Sequence, residues 1–323
     1  MPDPPAAGRA TVWTERAFRR QAATRAPCHY ARRVALPAID AHGTGPMPRR
    51  PHPWNRGHEW RSPTGPFTTI TEEQAAAYDR DGCFVLPGVF DAEQLTELDR
   101  AIAPGDALVR ELLEGLPDGR LSVAGLDTQT VSPNMVGGSE VLAAVCEDPV
   151  LAGVCADLIG PDVRLYWEQA VYKQPRSAEP VLWHQDNGYT YVEPQSYVTC
   201  WVAVTDATPD NGCISVVPGV HRDGTLEHRH TPIGEECWGD WDRAVDVPVR
   251  AGDVVVFTSL TPHATRRNST DEVRKAYIVQ YVPDGAVAID GDPGGGPGRR
   301  RVLDDPVLNR PTVVAGRPVR SAT

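Results

Sequence analysis

The chain has 323 residues, of which 41% are apolar, and a formal net charge of −11. That length allows one large β domain with helical decoration, and an acidic body argues against a nucleic-acid partner. No run of 18 apolar residues is present to cross a membrane, which excludes a transmembrane helix.

Residues 1–61 hold 11 Arg, no Lys and 4 acids, so the head is basic and the remainder more acidic than the whole. Residues 1–66 carry no sustained helical or strand period and are dominated by Pro, Gly and Arg, as in Pro46-Met47-Pro48-Arg49-Arg50-Pro51. This stretch is expected to be a disordered or weakly ordered leader.

Order is expected to begin at Thr71-Glu72-Glu73-Gln74, which fits a capping box opening a short helix to about Asp79. Gly82–Pro87 reads as a strand, and Asp91 as the cap of a second helix with Leu95, Leu98 and Ile102 on one face. Residues 104–136 show no single period and read as a helix at 106–115 and then loop. Ser139 caps a helix through about Cys146, and Asp148-Pro149 restarts one that stops at Gly160-Pro161.

From Val163 the pattern turns to strands: Val163–Gln174, Ser196–Thr205, Cys213–Val217, Asp253–Ser259 and Arg274–Val282 are rich in Val, Tyr, Trp and Thr. Turn signals separate them, including Asp210-Asn211-Gly212. Helices first and short strands afterwards predict an α+β, mainly β fold, a jelly roll with flanking N-terminal helices. The expected organisation is a leader over 1–66, a domain over 67–285, and a tail over 286–323 that is partly docked near Leu303–Val319.

The seven Cys are irregularly spaced without a C-x-x-C pair, so buried free thiols are expected rather than a disulfide framework or a zinc site. No secretory pattern is present. Together these predict a soluble, cytoplasmic protein.

The chemistry gathers in Leu182-Trp183-His184-Gln185-Asp186. On a strand, residues two apart share a face, roughly 7 Å apart, so His184 and Asp186 are expected to grip one cation from one strand. His263, 79 residues later, can complete the grip. Two His and one carboxylate on one face of a metal leave its other positions open, the facial triad of non-haem Fe(II) oxygenases. Eleven residues beyond His263 lies Arg274, a natural carboxylate clamp. A second His-x-Asp, His221-Arg222-Asp223, sits in a turn, and His228-Arg229-His230 lies in a polar setting that reads as a solvated loop.

These residues form a wider pattern. It comprises Asp81-Gly82-Cys83-Phe84-Val85-Leu86-Pro87-Gly88, Lys173-Gln174-Pro175, His184-Gln185-Asp186 and Trp201-Val202-Ala203-Val204-Thr205-Asp206. It continues with Asn211-Gly212-Cys213, Val217-Pro218-Gly219-Val220-His221-Arg222, and His263 with Arg274. Over roughly residues 68–282 the chain resembles the phytanoyl-CoA dioxygenase family of Fe(II)/2-oxoglutarate oxygenases.

The resemblance implies a double-stranded β-helix of cupin-like form, with His184, Asp186 and His263 ligating Fe(II). It also implies that Arg274 and Thr265 bind the distal carboxylate of 2-oxoglutarate, and that Gln169 and Trp201 line the cosubstrate pocket. 2-Oxoglutarate and O2 are then the cosubstrates, with succinate and CO2 released as a small organic substrate is hydroxylated or desaturated. Related halogenases have a small residue where Asp186 stands, so the carboxylate disfavours halogenation. Natural-product biosynthesis is the expected setting, with no membrane partner. Two other readings are a cupin-like metal isomerase or hydrolase, which needs the triad but not Arg274, and a silent jelly-roll binding module, which would lack a complete triad.

Overall fold

The computed structural model describes residues 49–319; most of the expected leader, and Cys28 with it, lies outside them. Helix α1 (Glu72–Asp81) leads to strand β1 (Cys83–Leu86) and helix α2 (Ala92–Glu114). Strands β2 (Arg120–Leu121), β3 (Ala124–Gly125) and β4 (Gln129–Pro133) precede helices α3 (Glu140–Cys146) and α4 (Pro149–Ile159). The middle of the chain supplies β5 (Val163–Lys173), β6 (Val181–His184), β7 (Tyr191–Glu193), β8 (Val198–Ala203) and β9 (Ile214–Val216). Then follow β10 (Arg229–Thr231), β11 (Gly234–Glu236), β12 (Val245–Val247), β13 (Val254–Thr258), β14 (His263–Thr265) and β15 (Arg274–Pro283). The last strands are β16 (Val287–Asp290), β17 (Arg299–Val302), β18 (Pro311–Val314) and β19 (Arg317–Pro318).

The expected caps form. Thr71 and Asp91 each make a reciprocal capping box with Gln74 and Gln94, and the side chains of Ser139 and Asp148 accept the first free N–H groups of α3 and α4. The loop expected after residues 106–115 is corrected in part. The helix expected near 106–115 is present as the last part of the Asp91 helix, which runs through Pro104 to Glu114. Its inner face (Leu98, Ile102, Val109 and Leu113) is buried, and tertiary burial outweighs the lost Pro104 hydrogen bond. Residues 129–133 are not loop but strand β4, because they pair residue for residue with β5, Gln129 opposite Lys173 through Pro133 opposite Gln169.

The major sheet runs β1-β13-β8-β15-β5-β4-β3-β2, and a minor sheet runs β12-β9-β14-β6. The two pack face to face as the jelly roll. One apolar cluster joins Trp201, Val255, Phe257 and Ala276 of the major sheet to Ile214 and Val216 of the minor. Alternate residues of the same strands (Cys200, Val254, Val256, Tyr277, Val279) turn outward and meet α1–α4 in the largest cluster. Both faces of the central strands are therefore buried, and β8 buries all six of its residues, which explains its continuous apolar run where a half-exposed strand would alternate.

Residues 49–66, expected as the end of the leader, lie on this body. The His52 N–H donates to Thr225 O at 2.9 Å, the Trp54 indole to Gly296 O at 2.6 Å, and the Trp60 indole to Asp79 at 2.7 Å. The polar average of the stretch hides two half-buried tryptophans, whose large apolar area offsets the cost of ordering their neighbours. At the other end, β18 pairs with β5 and extends the major sheet. No helix among the described residues is long and apolar enough to cross a membrane. The six described cysteines are buried free thiols.

Candidate metal centre and cosubstrate pocket

His184 and His263 reach one another from neighbouring strands of the minor sheet. They are opposed Cα partners in the antiparallel β6–β14 pair, and their ring centroids lie 4.1 Å apart. Asp186 arrives differently from the expectation that it shares a strand face with His184. β6 ends at His184, and Asp186 opens a helical turn, Asp186–Tyr189. The turn brings the carboxylate back toward the rings, so that one ligand atom from each of His184, Asp186 and His263 lies within 4.8 Å of the other two.

The residue between the ligands explains why the strand stops. Gln185 is fully buried and turned away from the site. Its amide donates to Leu260 O at 2.6 Å and Gly224 O at 3.0 Å, and accepts the Leu226 N–H at 2.6 Å. Its backbone N–H donates to His228 Nε2 at 2.9 Å, while His228 Nδ1–H donates to Leu226 O. His228 is thus a partly buried pin beneath the ligand loop, which corrects its reading as part of a solvated loop. Gly188 is required beside it: a Cβ there would sit 2.1 Å from the His228 ring. Asn187 adds a third anchor, donating to Thr225 Oγ1 at 2.6 Å and accepting the Val192 N–H at 2.9 Å.

Each ligand is also held from behind. His184 Nδ1–H donates to Leu182 O at 2.7 Å and His263 Nδ1–H to Thr261 O at 3.0 Å, which leaves each Nε2 lone pair for a metal. The Thr199 hydroxyl donates to Asp186 Oδ2 at 2.5 Å. Burial, with His263 alongside, pushes the His184 imidazole down to about 3, and burial pushes His263 down to about 4. The Asp186 carboxyl is raised by burial against the pull of His184. His263 Nε2 and Asp186 Oδ1 are 3.7 Å apart, yet with a neutral imidazole this is not an ion pair. Two neutral imidazoles and a carboxylate on one side of a small space fit iron(II), and leave its opposite positions open.

Arg274 lies on β15 opposite Lys173 of β5. It is 1% exposed, its guanidinium carbon stands 5.2 Å from the Trp201 ring centroid, and its Nε and Nη1 have no hydrogen-bond partner. Burial lowers it to about 10, still charged at neutral pH. Two unsatisfied N–H groups on a buried cation are costly unless a ligand takes them. A planar guanidinium fork of this kind matches the two oxygens of a carboxylate. Arg266 and Arg267, by contrast, are exposed, and Arg266 stacks on Trp241 and faces Asp246.

Thr265 is buried, and its hydroxyl accepts from Lys173 Nζ at 3.0 Å. Trp201 is 3% exposed beneath Arg274. Gln169 is half-buried on the Lys173 side of β5 and accepts from the Trp167 indole at 3.0 Å. His221 is not at the centre. It lies in a 3-10 turn with Nε2 against Asp79 O at 3.1 Å and its ring edge-on to Trp60. Sequence reasoning gave Thr199 no role, took Lys173 and Gln185 only as parts of the wider pattern, and set His228 aside as a loop residue.

A family model described as Phytanoyl-CoA dioxygenase (PhyH) matches residues 78–276. The chain is 26% identical over 218 residues to the methylphosphonate hydroxylase of Gimesia maris, covering 66% of this chain and 81% of that protein. Matches to phytanoyl-CoA dioxygenase domain-containing proteins of Caenorhabditis briggsae and Danio rerio are shorter, spanning 44% and 50% of those proteins. Among solved structures, the non-heme alpha-ketoglutarate-dependent carbocyclase SnoK from nogalamycin biosynthesis is similar with a TM-score of 0.60 and 27% identity, covering 76% of this chain and 99% of that one. The epimerase SnoN, solved with Fe3+, alpha-ketoglutarate and nogalamycin RO, is similar with a TM-score of 0.53 and 27% identity, covering 77% and 95%.

Proposed function

The chain belongs to the phytanoyl-CoA dioxygenase family, and on that premise we propose that it hydroxylates or desaturates an unactivated C–H bond of a small organic substrate in secondary metabolism. His184, Asp186 and His263 hold Fe(II) from one side; Arg274 and the Thr265 hydroxyl receive the distal carboxylate of 2-oxoglutarate. Iron(II) held there would, with 2-oxoglutarate and O2, supply the oxidant: CO2 would leave, succinate would keep one oxygen atom of O2, and the other would enter the substrate C–H bond or leave as water with two substrate hydrogens. Trp201 shields the Arg274 pocket from water, and the backbone carbonyls of Leu182 and Thr261 keep both imidazoles oriented. In this reading Gln169, half-buried on β5, lines the cosubstrate pocket. SnoK and SnoN act in the biosynthesis of a natural product, which supports the secondary-metabolic setting. The buried free thiols suit the reducing cytoplasm.

The observation that carries this reading is the buried Arg274 with two unpartnered N–H groups, which a metal isomerase or hydrolase without 2-oxoglutarate would not need. The test is an anaerobic titration of the Fe(II)-loaded protein with 2-oxoglutarate, followed by a substrate screen in air read by succinate release. A visible charge-transfer band and 2-oxoglutarate-dependent succinate are expected. Absence of both would sink the reading.

A further inference from the structure

Asn55 stands at one end of a hydrogen-bond relay that finishes beside a metal ligand. It lies ahead of residues 78–276, the part that the family pattern covers. Residues 50–55 run along residues 223–227 as an added edge. The Glu227 N–H donates to Arg50 O at 2.8 Å, the His52 N–H donates to Thr225 O at 2.9 Å, and Pro51 is the bridge partner of Leu226. The same short segment grips the ligand loop. Gly224 O and the Leu226 N–H hold the Gln185 side chain, and Leu226 O holds His228.

The relay has one direction. The Asn55 amide nitrogen donates to Asp223 O at 2.8 Å and to Thr225 O at 3.0 Å, spanning Gly224. Gly224, at φ +75, leaves room for it, since a Cβ there would lie 2.7 Å from that nitrogen. Carbonyls only accept, so the Asn55 oxygen points away from them and accepts from Gln195 Nε2 at 3.1 Å. Gln195 Oε1 is left to take the Thr225 N–H at 2.9 Å and the Thr225 hydroxyl at 2.8 Å. With its proton so committed, Thr225 Oγ1 accepts from Asn187 Nδ2 at 2.6 Å, and Asn187 Oδ1 accepts the Val192 N–H at 2.9 Å. Thr225 and Asn187 are fully buried, so a bond broken there is not replaced by bulk water. Asn187 follows Asp186 in the helical turn that brings the carboxylate to the two imidazoles.

Resting on the Fe(II) reading of that centre, we propose that Asn55 is a positioning residue of the metal site, acting through Gln195, Thr225 and Asn187 on the turn that carries Asp186. The segment ahead of the family region then completes the support of one iron ligand from behind. Thr199 holds the Asp186 carboxylate directly, and the Asn55 relay holds the backbone that presents it.

The test is the Asn55→Leu variant of the full chain, titrated with Fe(II) under anaerobic conditions against a chromogenic chelator. Tm and the visible d–d bands of the Co(II)-loaded protein are recorded beside it. Trp60→Phe is the control, because it removes the Trp60–Asp79 bond of the same segment and touches no member of the relay. The expected result for Asn55→Leu is an Fe(II) Kd raised about tenfold, the scale of an outer-shell change, with shifted Co(II) bands. Trp60→Phe should lower Tm and keep the wild-type Kd and bands. Gln195→Met, which cuts the relay one link on, should also weaken iron binding. The double variant should lose no more than the worse single one, since both cut one relay. A purely structural role would lower Tm and leave iron affinity and bands alone. That outcome, additive losses, or an equal loss of affinity in Trp60→Phe overturns the proposal. If Asn55→Leu does not fold, Gln195→Met is read in its place. Misfolding of both identifies a folding element and overturns the proposal too. A wild-type protein that binds no Fe(II) would sink the metal reading itself, and this proposal with it.

Discussion

His184 and His263 are opposed across the antiparallel β6–β14 pair with ring centroids 4.1 Å apart, and each gives its Nδ1–H to the carbonyl two residues before it. The same local device on two strands aims both Nε2 atoms into one space beside Asp186. Replacing His184, Asp186 or His263 by Ala is expected to weaken Fe(II) binding by more than about 100-fold, beyond the loss from an outer-shell change. His221→Ala should keep wild-type iron affinity. Competition titration against a chromogenic chelator measures both, and the opposite ranking would place the metal at the wrong His-x-Asp.

Thr199 on β8 donates to the Asp186 oxygen Oδ2, and so connects the major sheet to a ligand presented by the minor sheet. Thr199→Val keeps the shape and removes the bond. Iron affinity should fall about 10- to 100-fold with little change in Tm. Unaltered iron binding would show that Asp186 is oriented by its turn alone.

Arg274→Ala should weaken 2-oxoglutarate binding by about 1.5–3 kcal/mol, with Fe(II) affinity nearly unchanged. Arg266→Ala and Arg267→Ala, at exposed positions, should leave the 2-oxoglutarate Kd within about twofold, as expected for exposed charges. An anaerobic titration of the three variants decides. A large loss at Arg266 or Arg267 with none at Arg274 would move the clamp to the surface.

Residues 49–66 bind the body through Trp54, Asn55 and Trp60. A chain starting at Phe67 should therefore melt about 5 °C or more below one starting at Arg49, since losing two half-buried Trp costs at least about 2 kcal/mol. Thermal unfolding of the pair is the measurement. Equal melting temperatures would show these contacts to be energetically neutral.

Glu168 is buried between the Val136 N–H and the Tyr277 hydroxyl, and burial pushes its carboxyl up to about 7. A carboxyl raised in the folded state binds its proton more tightly there than in the unfolded chain. Its contribution is therefore complete below about pH 4.5 and is lost as pH rises through about 7. That amounts to about 3 kcal/mol across the window. Glu168→Gln should flatten this part of the stability–pH curve, read from urea midpoints between pH 4.5 and 8. A curve that keeps the wild-type slope would assign it to another group.

The sequence by itself determined the elements whose signals are local. The capping boxes at Thr71 and Asp91 and the helix restart at Asp148-Pro149 need only their own neighbours. The apolar runs of β8 and β13 likewise announce strands buried on both faces. The spacing of His184, Asp186, His263 and Arg274 suggested a metal site and a clamp because those residue types have few other uses together. Tertiary structure alone decided how they meet. His184 and Asp186 do not share a strand face, because Gln185 is pulled the other way by Leu226, Gly224 and Leu260, three contacts 39 to 75 residues distant. The continuity of α2 through Pro104 and the pairing of β4 with β5 follow from burial against partners the local sequence does not contain. Lys173 is only part of a wider pattern until β15 sets Arg274 beside it and the turn at Gly212 opens room for its stem. Pairwise contacts between distant strands carry no local period, so only the folded chain exposes them.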